Sequence, residues 1–181
     1  MEVEYPGKED WGTGMSLLEP GRDVDRSYVQ LVESCGIAYF HPNPVTRYFF
    51  RKRVRIAMGL FGDTPAASLL DAGCGIGYLL PTLARLARRV EAIDRHSVSV
   101  AFAGRIVERK GLRSVGLRCG DLLHLPYRDQ TFDAIVSLST FEHIHDLDHA
   151  CQEIRRVAMP GARIVIGFPM VGNPLFEFVE K

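Results

Sequence analysis

The sequence predicts an α/β fold built on a doubly wound, mostly parallel sheet. Three observations predict it. From residue 68 onward, short apolar runs alternate with stretches of helical periodicity. Gly73, Gly75 and Gly77 stand at alternate positions between the first apolar run and the helical pattern that follows. Acidic residues, Asp71, Asp94 and Asp121, fall at or just beyond the ends of successive apolar runs.

The elements follow in order. Asn43 suits an N-cap and Pro44 a first helical position. Phe50, Val54, Ala57 and Phe61 then recur at helical spacing until the turn signal at residues 62–65. Residues 68–71 predict a buried strand. Leu79, Leu83, Leu86 and Val90 mark one face of the next helix, with Pro81 in its first turn. Residues 90–94 predict the second strand. Ser97 is placed as the cap of a helix running to Lys110 and closed by Gly111. Residues 115–119 and 132–138 predict the third and fourth strands, the latter apolar on both faces. Leu147, Cys151, Ile154 and Ala158 mark another helix, stopped by Pro160-Gly161. Residues 162–168 predict the fifth strand. Strands separated by helices imply right-handed parallel crossovers.

Composition narrows the function. The chain has 181 residues, enough for one domain with a sizeable core, and 22 basic residues balance 22 acidic ones. That balance removes a global pull on nucleic acid. No apolar run reaches the length of a membrane span. Met1-Glu2-Val3-Glu4-Tyr5 lacks the basic and apolar regions of a signal peptide. Cys35, Cys74, Cys119 and Cys151 are scattered, without metal-ligand spacing, so a reduced cytoplasmic setting is expected. His143, His145 and His149 have no companion ligands at clear spacing, and no metal is expected. Residues 1–40 predict an arm or cap and residues 41–181 the ligand-binding domain.

The glycine turn carries the most information. A dinucleotide fingerprint reads G-x-G-x-x-G. Counting from Gly73 and Gly75, its third glycine falls on Tyr78, and this chain instead has Gly77. Asp71, two residues before Gly73, would repel a pyrophosphate. A cofactor bearing an amine and a sulfonium tolerates that carboxylate. A nicotinamide-dependent oxidoreductase is disfavoured on both counts. Asp94 closes the second strand, where a carboxylate accepts hydrogen bonds from ribose hydroxyls; a strand-end or capping aspartate is the alternative.

Leu69-Leu70-Asp71-Ala72-Gly73-Cys74-Gly75-Ile76-Gly77-Tyr78 resembles the first motif of the class I S-adenosylmethionine-dependent methyltransferases. Residues 121–127, Asp121-Leu122-Leu123-His124-Leu125-Pro126-Tyr127, and then Thr131-Phe132-Asp133-Ala134-Ile135 strengthen the resemblance. It covers residues 66–169 and is nearest the type 11-like group that includes the ubiquinone and menaquinone biosynthesis methyltransferases. It implies a Rossmann-like sheet, S-adenosylmethionine as cofactor and S-adenosylhomocysteine as product. It implies that Asp71, Gly73, Cys74, Gly75 and Gly77 form the cofactor turn, and that Asp71 anchors its polar contacts. Asp94 and Arg95 fall at the ribose and adenine, and Gly120, Asp121 and Leu122 at the adenine. Leu138 and Ser139 fall near the methionine moiety. Glu142 and His143 fall near a small-molecule methyl acceptor, with His143 the candidate general base. Asp133 is expected to be structural.

The resemblance also implies a further helix and strand pair after the fifth strand, for which residues 170–181 are too few. The sheet is therefore expected to lack its usual C-terminal strands. Its fifth strand would expose an apolar edge, inviting a homodimer there or through residues 175–179. A non-catalytic binding or partner subunit is the alternative function. Arg47, Arg51, Lys52, Arg53 and Arg55 form a basic run, read in preference as a solvated helix face and otherwise as an anchor for a carboxylate.

Overall fold

A computed structural model describes residues 3–4, 44–62 and 64–167. Its elements are α1 (Pro44–Phe61), β1 (Ala66–Ala72), α2 (Leu80–Leu86), β2 (Ala87–Asp94), α3 (Ser97–Arg109), β3 (Val115–Cys119), β4 (Phe132–Leu138), α4 (Leu147–Val157) and β5 (Ala158–Gly167). A short 3-10 turn, Phe141–His143, lies between β4 and α4. The arm assigned to residues 1–40, the Asn43 cap, Phe168 and the tail at residues 175–179 lie outside the described residues, apart from Val3 and Glu4.

The sheet runs β3-β2-β1-β4-β5, and every pairing among the described residues is parallel. The chain winds outward from β1 to β3, then returns to the other side of β1. That reversal opens a crevice beyond the carboxyl ends of β1 and β4. Consecutive β1 residues bury opposite faces. Leu69 joins the core under α1 and α3 with Val54, Met58, Phe61, Phe102 and Ile106. Leu70 joins the core under α4 with Ile93, Ile135, Ile154 and Val157. A strand buried on both sides reads as a continuous apolar run, which is why β1 and β4 are conspicuous in sequence.

Polar residues lock the frame at both ends. Asp133 accepts the Ala67 and Ser68 amides through its two oxygens, each at 2.8 Å. At the crevice end, the buried Ser137 hydroxyl donates to the Ala72 carbonyl at 2.6 Å. Arg163 donates to the Phe61 carbonyl at 2.8 Å, placing its charge at the α1 C-terminus, where the helix dipole favours a cation.

Several predicted boundaries are corrected. α2 ends at Leu86, and Val90 belongs to β2, whose pairing with β1 begins at Ala87. The four-residue step from Leu86 to Val90 continues the helical period by coincidence. β1 is longer than residues 68–71, reaching from Ala66 to Ala72. The α3 cap is His96, not Ser97, and has no side-chain cap bond. Its C-terminus does close on Gly111 (φ +60°): the Gly111 amide bonds the Glu108 carbonyl and the Leu112 amide bonds that of Val107. α4 buries Ala150, Ile154 and Val157, leaving Leu147 and Cys151 exposed. It stops at Val157, ahead of the predicted stop: Ala158 and Pro160-Gly161 already belong to β5. There β4 advances two residues, from Phe132 to Ala134, while β5 advances five, from Ala158 to Arg163. β5 is the outermost described strand beyond β4, and its Ile164 and Ile166 are exposed.

Candidate functional site

The crevice at the strand reversal has a volume of about 430 Å³, within the range of small-molecule sites. One side is the turn between β1 and α2. There the Gly73 and Cys74 amides both donate to the Ile93 carbonyl, at 2.8 and 3.0 Å, folding the turn against the end of β2. Gly73, Gly75 and Gly77 all have positive φ, at 87°, 52° and 84°. A side chain there is strained. At two of them protein, rather than ligand, fills the space a side chain would need. A Cβ on Gly73 would collide with the Thr140 side chain. A Cβ on Gly77 would lie 3.0 Å from the Ala103 Cα and 2.9 Å from Leu80 Cδ1, so Gly77 serves helix packing and does not line the crevice.

Two carboxylates line the crevice and differ in their hydrogen-bond partners. Asp94 is buried, yet each of its oxygens accepts a backbone amide: Oδ2 that of Gly75 and Oδ1 that of His96, both at 2.9 Å. The expected anchor of the glycine turn was Asp71; the bond to the turn amide belongs to Asp94. Asp71 is also buried, and its Oδ2 has no hydrogen-bond partner among the described residues. Burial, with the Asp94 charge adding to it, raises the Asp71 carboxyl to about 7.

The β3 side contributes Asp121, Leu122 and Leu123. Asp121 is exposed and its Oδ1 accepts the Leu123 amide at 2.9 Å, so it also turns the chain. Its other oxygen remains able to accept. Gly120 does not line the crevice: its amide bonds the Asp94 carbonyl at 3.0 Å, and a Cβ there would meet Ile93. Arg95 lines the crevice with its guanidinium directed to His96, Nε to Nε2 at 3.2 Å.

The β4 side contributes Leu138, Ser139, Thr140, Glu142, His143 and His145. Ser139 has a left-handed backbone (φ 59°), unusual outside glycine and costing about 1–2 kcal/mol. Two bonds hold it there. Its amide donates to the Gly167 carbonyl at 2.7 Å, and its hydroxyl accepts from Arg53 Nη2. Strained backbone of this kind clusters at functional sites. Glu142 and His143 are exposed at the rim.

Arg53 departs from the preferred reading of the basic run as a solvated face, and its place in the crevice suits the alternative, an anchor for a carboxylate. The solvated-face reading holds for Lys52 and Arg55, which are exposed. Arg53 instead turns inward from α1 and lines the crevice, and its buried Nη1 has no hydrogen-bond partner among the described residues. The signal was faint. On a helical wheel Arg53 sits on the flank between the face carrying Val54 and Phe61 and the face carrying Lys52.

A family model described as a methyltransferase domain matches residues 70–166, more than half of the chain. The norajmaline N-methyltransferase of Rauvolfia serpentina is 37% identical over 101 residues, 55% of this chain and 35% of the plant enzyme. The demethylmenaquinone methyltransferase of Thermobifida fusca is 38% identical over 101 residues, 54% of this chain and 42% of that enzyme. The solved structure of the cyclase SpnF is 32% identical, with a TM-score of 0.58, over 62% of this chain and 43% of that one. The matched stretch thus spans less than half the length of each of these relatives.

Proposed function

The chain belongs to the methyltransferase domain family, and from that premise we propose that it binds S-adenosylmethionine and methylates a small-molecule acceptor. One observation carries the reading. The crevice holds two buried polar atoms of opposite character without partners among the described residues, Asp71 Oδ2 and Arg53 Nη1. Buried polar groups are normally satisfied, so a pair left open in one cleft points to a ligand that completes both. An α-amino acid moiety does so: its ammonium suits Asp71 and its carboxylate the Arg53 guanidinium.

The rest of the crevice fits an adenosine. Asp94 is oriented by two amides, with lone pairs left for ribose hydroxyls. Asp121 and Leu122 suit the adenine, the first accepting from its amine and the second packing on its ring. When bound, the sulfonium supplies an already activated methyl group. The protein's task is to hold the acceptor in line and exclude water, which contributes about 7–11 kcal/mol in well-oriented systems. His143, on the rim beside Glu142, is the candidate base for an acceptor that loses a proton. The relatives named above are, by name, a norajmaline N-methyltransferase and a demethylmenaquinone methyltransferase, so the acceptor class stays broad.

No helix among the described residues is long and apolar enough to cross a membrane. Cys74, Cys119 and Cys151 are free thiols, in keeping with the reduced compartment proposed for the protein.

Calorimetry with S-adenosylmethionine and S-adenosylhomocysteine tests the reading. Both should bind. Asp94→Ala should weaken both by about 10–100-fold, since hydrogen bonds to a charged group contribute ~1.5–3 kcal/mol. Unchanged affinity in that variant rejects the ribose role. The family resemblance to a cyclase shows that this fold carries more than one chemistry, so methyl turnover is measured separately with an acceptor panel.

A further inference from the structure

The wall that would face the adenine is not part of any helix or strand. It is the first stretch of residues 120–131, the connection from β3 to β4. Its near end is held where the Gly120 amide bonds the Asp94 carbonyl at 3.0 Å. Its far part is held by two side chains of α4. Glu153 Oε2 accepts the Leu125 amide at 2.7 Å. Arg156 donates through Nη2 to the Leu125 carbonyl at 2.9 Å, and through Nη1 to the Tyr127 carbonyl and the Asp129 carboxylate, each at 2.8 Å. Arg156 Nε in turn donates to Glu153 Oε1 at 2.7 Å, and Nη2 to its Oε2 at 2.9 Å.

Both Arg156 and Glu153 therefore have fixed directions. Their mutual bonds hold the Glu153 carboxyl below its usual range, so it is a full acceptor at neutral pH. The clamp closes around the backbone of Leu125, gripping its amide and its carbonyl together. Leu125 and Leu122 are both buried, in the same core as Ile154 and Val157 of α4. Leu122 thus stays packed where it lines the crevice between Asp121 and Leu123. Neither Glu153 nor Arg156 lines the crevice themselves.

We propose that Glu153 and Arg156 are positioning residues that set the base selectivity of the crevice from the outer helix, by fixing where Asp121 stands. This rests on the adenosyl reading above. A carboxylate held in place accepts from the exocyclic amine of adenine and opposes the carbonyl of hypoxanthine. A carboxylate on a loosened loop swings toward solvent and distinguishes the two bases poorly. Selectivity of this kind comes from placement and not from the charge alone.

The test compares S-adenosylhomocysteine with its analogue carrying hypoxanthine in place of adenine, by calorimetry on the full chain. Wild type should prefer the adenine ligand by about tenfold or more, the size of one charge-assisted hydrogen bond. Arg156→Met should collapse that preference while leaving affinity for the hypoxanthine ligand within about twofold. A purely structural role would lower Tm and weaken both ligands alike. Arg156→Lys and Glu153→Gln are milder, and should lose the preference by about threefold each while the fold is kept. Hydrogen exchange across residues 120–131 should quicken in step with the lost preference. A preference that survives in all three variants, whatever their Tm, overturns the proposal and leaves the adenosyl reading intact. Wild-type protein that binds neither ligand overturns both.

Discussion

The two sides of the crevice are built by different means. On the side of the β1–α2 turn, positions are set by backbone: amides of Gly73 and Cys74 on the Ile93 carbonyl, and the Gly75 amide on Asp94. The surfaces behind it are closed, with Gly73 against Thr140 and Gly77 against Ala103. On the rim from Thr140 to His145 the crevice is lined by exposed side chains, Glu142, His143 and His145. Backbone contacts recognise a shape common to many chains, whereas side chains can be exchanged one at a time. On the function proposed above, the first side would take the shared cofactor and the second the acceptor.

Three perturbations separate the two sides by their effect on stability. The largest concerns Asp71. Its carboxyl ordinarily titrates near 3.8 and is raised to about 7 in the folded chain. The native state therefore holds this proton more tightly than the unfolded state. The stability this gives is complete below about pH 4 and is lost as pH rises through about 7. Chemical denaturation across that window should show a loss of up to about 4 kcal/mol. Asp71→Asn should flatten the profile. A wild-type curve already flat there would show that Asp71 ionises freely in the folded chain.

A smaller effect follows from packing. Gly77→Ala adds a Cβ beside the Ala103 backbone at positive φ. It should cost about 2–3 kcal/mol from strain and overpacking together, seen as a lower midpoint in urea. A neutral result would mean that α2 and α3 can separate, and the turn would no longer count as rigid. The smallest effect belongs to the rim. His143→Ala should change stability by less than about 0.5 kcal/mol and leave cofactor affinity alone. If His143 is the base, turnover should fall by about a hundredfold. Loss of cofactor affinity in that variant would erase the division between the two sides.

Much of the frame was legible from the chain because its strands are short, apolar and flanked by turn residues. The limits of β3 and β4 follow directly from that pattern. The α2 boundary was not legible, because Leu86 and Val90 satisfy a helical period while Val90 sits in a strand. Pro160-Gly161 is an ordinary stop signal, and only the pairing with β4 shows it as a bulge. At the site, Asp94 was found by its place at the end of β2. Its bond to Gly75 was not, since it joins residues 19 apart across two strands. Arg53 could not be singled out from its basic run, and Arg156 was hidden altogether, for a common reason. A basic residue on a helix has no sequence mark that says which neighbour its guanidinium will meet.

The bridge from Asp133 to Ala67 and Ser68 sits at the end of β1 and β4 remote from the crevice. A slip of one residue between these strands would exchange inward and outward side chains along both. Because that alignment is secured far from the rim, the rim's own sequence is released from the task. The exposed rim positions Glu142, His143 and His145 are free to diversify without putting the order of the central strands at risk.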